Sequence, residues 1–211
     1  MPEARSAQPR AADGPAVRAF LAIPRDPAWG ESAARLVEAL RPTSPDAAWT
    51  RPESWHVTIK FLGDGTPEAL EDFSRALAPA ASAVRSGALF PGGASVFPSQ
   101  GPARVLGLGF ARSASLEDLE GLASAAEREA RRLGLKQEDR PFHPHVTLAR
   151  LPSRWPRDAV ERFRRVAGEW KVPAFRAAAC VLFGSRLGPR GAVHIPLAEW
   201  AFRADGAGAT A

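Results

Sequence analysis

Residues 141–150 read Pro-Phe-His-Pro-His-Val-Thr-Leu-Ala-Arg, and residues 54–62 read Ser-Trp-His-Val-Thr-Ile-Lys-Phe-Leu. Aligned on histidine, His56-Val57-Thr58-Ile59 matches His145-Val146-Thr147-Leu148, 89 residues later. Each run alternates polar with β-branched or apolar residues, which is the pattern of a half-buried strand. In a strand, residues i and i+2 share a face. His56 therefore projects with Thr58, and His145 with Thr147, while Val57, Ile59, Val146 and Leu148 turn to the core. The chain holds only four histidines and six threonines, so two matched His-Val-Thr runs point to a divergent internal duplication. The expected architecture is two similar lobes, each offering one such strand to a shared cleft.

The segments between these strands fit that plan. Val17–Ile23 is a strand ending at Pro24. Residues 27–41 carry apolar positions at helical spacing. Residues 48–50 form a short strand. His56–Leu62 is closed by Gly63-Asp64-Gly65. Thr66 with Pro67 and Glu68 opens a helix that runs to Val84. Residues 87–97 and 103–110 form a hairpin around Pro98–Pro102. Ser115–Leu133 is a helix, capped by Ser115 with Asp118 and stopped by Gly134. Pro156–Ala167 is a helix with a basic face. Residues 171–184 and 191–202 are strands joined by a Ser-Arg-Leu-Gly-Pro-Arg-Gly loop. Helices alternating with non-contiguous strand pairs predict an α+β protein with mainly antiparallel sheet.

Composition narrows the class. The 211 residues are 45% hydrophobic and 24% charged, as in a water-soluble globular domain. No apolar run reaches the roughly 20 residues of a membrane span. The first fifteen residues have no apolar core of a secretory signal, and the expected location is cytoplasmic. Residues 1–15 and 204–211 are expected to be flexible tails around a single domain at 16–203. The one cysteine, Cys180, supports neither a disulfide framework nor a thiolate metal site. Net charge is +5, and arginine supplies 25 of the 28 basic residues. Such a surface attracts polyanions such as RNA, although an Ala/Arg/Pro-rich composition alone also produces it.

Two histidines near their ordinary pKa can divide acid and base roles at neutral pH, and threonine hydroxyls can donate to phosphate oxygens. The set suits displacement at phosphorus without a metal. A zinc site built from His143, His145 and His56 is the competing reading; no carboxylate or cysteine accompanies either motif. His143 precedes Pro144 and His194 has no threonine partner, so both are expected to be structural.

The paired motifs resemble the HxTx signatures of the 2H phosphoesterase superfamily. The blocks RAFLAIP, SWHVTIKFLGD, FPSQGPARVLGLG, DRPFHPHVTLAR and LFGSRLGPRG are similar, in order, to those of the RNA 2′,3′-cyclic phosphodiesterases, also called 2′-5′ RNA ligase-like proteins. The resemblance covers roughly residues 16–203. It implies a bilobal 2H phosphoesterase-like fold with two pseudo-symmetric lobes, antiparallel sheets, flanking helices and a central active site. It also implies hydrolysis of RNA 2′,3′-cyclic phosphate ends, or of nucleoside 2′,3′-cyclic phosphates, to 2′-phosphates without metal or cofactor. Nothing in the sequence demands more than a monomer. His56 would be the proton donor and His145 the proton acceptor. Thr58, Thr147, Arg150 and Phe20 would contact substrate. Joining of RNA ends through a 2′-5′ linkage at the same site would be a side activity. A binding module without turnover and a phosphodiesterase for another small cyclic phosphate remain as alternatives. The chain has no tyrosine, and His194 stands where the family often has one.

Overall fold

One eight-stranded sheet organises the chain. The computed structural model describes residues 15–44, 46–188 and 191–204. Residues 1–14 and 205–211, within the expected tails, lie outside that range, as do Pro189 and Arg190 in the expected loop. In chain order the elements are β1 (Val17–Pro24), α1 (Pro27–Leu40), β2 (Ala48–Trp49), β3 (His56–Gly65), α2 (Pro67–Ala83), β4 (Gly87–Leu89), β5 (Pro91–Phe97) and β6 (Val105–Phe110). Then follow α3 (Ala114–Arg132), β7 (His145–Arg150), α4 (Arg157–Glu169), β8 (Phe175–Ala177), β9 (Ala179–Gly188) and β10 (Gly191–Ala201). The sheet order is β10-β9-β1-β3-β7-β6-β5, with β2 on β7, and all these pairings are antiparallel.

The two halves of the sheet meet where β3 and β7 pair through Val57 and Val146. Both valines are fully buried. The repeats are interlaced across this seam. The β5–β6 hairpin, from the first half of the sequence, pairs with β7; the β9–β10 hairpin, from the second half, pairs with β1. β4 and β8 form a further small sheet that again joins the two halves of the chain. Each spatial lobe therefore contains strands from both repeats, which ties the lobes together.

Local signals explain the element ends. Asp26 accepts from Trp29 N at 2.7 Å and Thr66 from Ala69 N at 3.2 Å, so each side chain satisfies an amide that the first helical turn leaves unpaired. Helix α3 departs from expectation: its N-cap is Ser113, which accepts from Leu116 N at 3.2 Å. Ser115 lies inside the first turn instead. Of the two serines in Arg-Ser-Ala-Ser, Ser113 has the extended backbone (φ −161°, ψ 163°) that a cap requires. Four strand expectations also change. The run 87–97 is divided between β4 and β5 at Phe90, because the two pieces pair with different partners. The run 171–184 starts as strand only at Phe175, and its two pieces, β8 and β9, lie in separate sheets. β9 and β10 extend into the expected loop up to Gly188 and from Gly191. β3 also continues past Gly63, which takes φ 70°, a conformation only glycine reaches cheaply.

The core fills the side of the sheet covered by the helices. Leu36, Phe73, Leu77, Leu106, Ala126 and Leu148 are each fully buried there. Lys60 is buried with them, its ammonium held by the carbonyls of Phe61 (2.9 Å) and Lys136 (2.7 Å) and by Glu127 of α3 at 3.1 Å. A buried ammonium must be neutralised and hydrogen-bonded, and all three partners serve that end. No helix among the described residues is long and apolar enough to cross a membrane.

Candidate active site

The seam between β3 and β7 brings both motifs together. Antiparallel pairing at Val57 and Val146 sets His56 across from Thr147 and Thr58 across from His145, on the face away from the core. Directly opposed residues have β-carbons about 4.5–5.5 Å apart. Two imidazoles and two hydroxyls thus share one small area around a local two-fold axis.

The rings are oriented identically. His56 Nδ1 donates to the Ser54 carbonyl at 2.7 Å, and His145 Nδ1 donates to the His143 carbonyl at 2.7 Å. A carbonyl can only accept, so each neutral ring keeps its proton on Nδ1 and turns an Nε2 lone pair outward. Each ring is also backed by a phenylalanine: Phe20 lies 4.9 Å from His56 and Phe97 lies 4.5 Å from His145, centroid to centroid. Among the described residues, neither Nε2 nor either threonine hydroxyl has a protein hydrogen-bond partner. These four groups are half-buried and available to a ligand.

Both strands carry a β-bulge at the same place in the motif. In β3, Thr58 pairs with Ala22 and Lys60 with Leu21, so Ile59 is an extra residue. In β7, Thr147 pairs with Gly107 and Ala149 with Leu106, so Leu148 is extra. The two consecutive residues at each bulge, Ile59-Lys60 and Leu148-Ala149, all point to the core. Alternation then resumes one residue out of phase. Simple period-two counting would place Arg150 on the core face; the bulge returns it to the face of His145 and Thr147. Burial along HVTIKF and HVTLAR follows the same sequence: half-buried, buried, half-buried, buried, buried, exposed. Thr50 stabilises the second bulge. Its hydroxyl lies 2.8 Å from Thr147 O and 2.9 Å from Leu148 O, its amide donates to Leu148 O, and it accepts from Trp55 Nε1 at 2.7 Å.

Electrostatics favours neutral histidines in the free protein. Burial pushes His56 down to about 4, with the neighbouring His194, His145 and Arg150 adding to the effect against the Ser54 hydrogen bond. His145 is lowered as well, again by burial first and then by His143 and Arg150. Arg150 is exposed, makes no ion pair among the described residues, and acts on both rings. An anion bound between them would stabilise the protonated form of either ring.

Phe20 is only 5% exposed. It stacks on Phe183 at 5.4 Å and supports His56 from below, which places it behind the ring rather than at the open surface. His143 contributes through its backbone carbonyl. His194, expected to be structural, lies at the site: its ring is 5.4 Å from His56 and 4.8 Å from Phe20, and Arg51 is close enough to lower its pKa after burial has done so. The only sequence sign was its place in the family pattern, where a tyrosine is common. Among the described residues, no three His, Cys, Asp or Glu side chains are placed to hold a metal ion, so the His143/His145/His56 zinc set is not assembled.

Comparison with known proteins gives a consistent result. A family model described as "LigT like Phosphoesterase" matches residues 23–107 and 112–194, and each segment contains one His-Val-Thr strand. An RNA 2′,3′-cyclic phosphodiesterase from Thermus thermophilus is 31% identical over 188 residues, covering 83% of this chain and 86% of that protein. A protein of the same name from Methanothermobacter thermautotrophicus is 28% identical over 185 residues, covering 84% and 95%. The crystal structure of Escherichia coli LigT in apo form shares the fold, with a TM-score of 0.70 at 21% identity over 90% of this chain and 99% of that one.

Proposed function

The chain belongs to the LigT-like phosphoesterase family of the 2H superfamily, and on that premise we propose that it hydrolyses RNA 2′,3′-cyclic phosphate ends to 2′-phosphate ends without a metal. The single observation that carries this reading is the matched pair of outward Nε2 atoms with two unpartnered threonine hydroxyls between them. Two relatives that align over most of their length with this chain bear the name RNA 2′,3′-cyclic phosphodiesterase.

In this mechanism Thr58 and Thr147 donate to the non-bridging phosphate oxygens, and Arg150 balances the phosphate charge. His145, neutral, accepts a proton from water at Nε2 as the water oxygen attacks phosphorus. His56, protonated, gives its Nε2 proton to the departing 3′ oxygen as the P–O3′ bond breaks. Nδ1 of each ring stays on its carbonyl throughout, so the moving proton is always the one on Nε2. The donor has a low proton affinity in the free protein. The phosphate anion raises it, so substrate arrival charges the donor. With a 5′-hydroxyl in place of water, the same groups would open the cyclic phosphate in the same direction and join two RNA ends through a 2′-5′ linkage, His145 taking the hydroxyl proton and His56 protonating the departing 3′ oxygen, a minor reaction where water is abundant. All the parts come from one chain, which fits a monomer; the expected cytoplasmic location belongs to the same proposal.

The test is hydrolysis of a nucleoside 2′,3′-cyclic phosphate by wild type, His56→Ala and His145→Ala. Each single substitution should cut kcat by about 100-fold or more, as general acid–base catalysis contributes roughly 10²–10⁴. Full activity in either variant would reject the assignment. A module that only binds would show no turnover in wild type.

A further inference from the structure

The sheet is longer in one lobe than in the other, and the difference lies on the face of the active site. In the half around His145, β5 ends at Phe97 and β6 begins at Val105, in the row of Arg150. In the half around His56, the corresponding row of Phe20 and Phe183 is followed by another: Arg18 of β1 pairs with Ser185 of β9, which pairs with His194 of β10. Alternation puts these three side chains on the face of Phe20 and Phe183, and directly opposed residues have β-carbons about 4.5–5.5 Å apart. Arg18 is exposed, and Ser185 and His194 are half-buried. None of the three side chains has a hydrogen-bond or ion-pair partner among the described residues. Two carboxylates share this face, Asp64 opposite Arg18 and Glu199 toward the end of β10, and neither forms an ion pair with the row. The row begins at the proton donor, since the His194 ring lies 5.4 Å from that of His56. It ends at Arg18, about 13 Å along β1 from Ala22, the residue paired with Thr58.

We propose that Arg18, Ser185 and His194 bind the phosphodiester that joins the terminal nucleotide to the rest of an RNA chain, so that chain ends bind more tightly than cyclic mononucleotides. The inference rests on the phosphodiesterase reading and deepens it. In an in-line displacement the attacking water and the leaving oxygen lie on opposite sides of phosphorus. The ribose carries the leaving 3′ oxygen and so lies on the side of His56. The 5′ carbon of that ribose carries the chain, which therefore leaves the site over β1, β9 and β10. A phosphodiester there meets a guanidinium, a hydroxyl and an imidazole, each able to donate to a non-bridging oxygen. The guanidinium also supplies the opposite charge, and its fork matches two phosphate oxygens at once. Arg51, whose charge reaches His194, adds to the positive field. The lobe on the side of the attacking water has no such row. Contacts to phosphate carry no sequence information, so this subsite accepts RNA ends of any sequence.

The test compares binding of adenosine 2′,5′-bisphosphate with that of adenosine 2′-monophosphate by calorimetry on the full chain. Both carry the 2′-phosphate of the product, and only the first has a phosphate at the 5′ position. Wild type should bind the bisphosphate about tenfold or more tightly, as charge-assisted hydrogen bonds to one more phosphate allow. That preference should shrink as salt is raised. Arg18→Gln should bring the ratio of the two affinities close to one, and Ser185→Ala and His194→Gln should each lower it in part. Arg176→Gln, on β8 in the separate small sheet, should leave the ratio as in wild type. Arg18 is exposed, so thermal melting of Arg18→Gln should match wild type. The proposal is overturned if wild type shows no preference for the bisphosphate, if Arg18→Gln retains it, if Arg18→Gln weakens both ligands equally, or if Arg176→Gln lowers the ratio as much as Arg18→Gln does. Turnover of an RNA oligomer with a 2′,3′-cyclic phosphate end by wild type, measured alongside, reports on the phosphodiesterase reading separately: its absence rejects that reading, while the ratio of affinities judges the subsite.

Discussion

Raising the pH from 5 to 7 should lower kcat/KM for a nucleoside 2′,3′-cyclic phosphate about 100-fold. The magnitude follows from the free protein. The donor, His56, has its pKa pushed down to about 4 by burial and by three neighbouring groups that are or can become positive. Well above that value the protonated fraction falls tenfold with each pH unit, so two units cost about two decades. An unperturbed imidazole at 6.5 would lose only about fourfold over the same interval. The acceptor, His145, is lowered too, so burial acts to keep it neutral as the pH falls. The assay is the initial rate at substrate well below KM, in constant ionic strength, from pH 5 to 8. The dependence of kcat should be shallower, because the bound phosphate raises the donor's proton affinity. A kcat/KM that changes fourfold or less between pH 5 and 7, or that rises with pH, would refute a buried, neutral donor in the free protein.

Other perturbations separate the parts of the site. Arg150→Ala should lower kcat/KM by about 100-fold, since a charge-assisted contact to an anion is lost, and Arg150→Lys should restore only part of it; steady-state kinetics on a cyclic mononucleotide decides. Thr50→Val should remove the hydroxyl that serves the Thr147 carbonyl and accepts from Trp55 Nε1, while Leu148 O keeps the amide of residue 50, costing about 1–3 kcal/mol in denaturant melts and lowering activity along with stability. Gly107→Ala should damage catalysis directly, because a β-carbon there would strike the Val146 carbonyl oxygen and come 3.4 Å from the His145 ring; rates measured far below the melting temperature would separate this from unfolding. Stability itself should fall as the pH drops from about 6.5 to 4. In that window the unfolded chain takes up a proton on His56 that the folded chain refuses, at a cost of up to about 3 kcal/mol; His56→Gln should flatten the corresponding part of the melting-temperature profile.

Much of the molecule was legible because the informative residues lie on one strand type with one period. The His-Val-Thr alternation placed both histidines and both threonines correctly on a shared face, and the repeat implied their meeting. What period-two counting could not reveal was the bulge after each motif. It assigns Phe61 and Arg150 to the core face, because an extra residue in a strand leaves no mark in composition. The interlacing of hairpins was equally hidden: pairing β9 with β1, across more than 150 residues of chain, is decided by which apolar faces meet, not by local pattern. His194 shows the same limit. Its neighbours in Ala-Val-His-Ile-Pro-Leu read as an ordinary strand, and only the packing of β10 beside β9 and β1 carries its ring to His56. The cap of α3 failed for a smaller reason: two serines two residues apart compete, and backbone angles rather than sequence choose Ser113.

The most direct test of the central claim is the identity of the product. Purified protein is incubated with an RNA oligomer ending in a 2′,3′-cyclic phosphate, with EDTA present, and the terminal phosphate isomer is determined. The account predicts a 2′-phosphate end, formed by wild type and not by His145→Ala. A 3′-phosphate end would contradict it by placing the leaving 2′ oxygen at the donor, and no turnover until metal is added would contradict the paired-histidine mechanism itself.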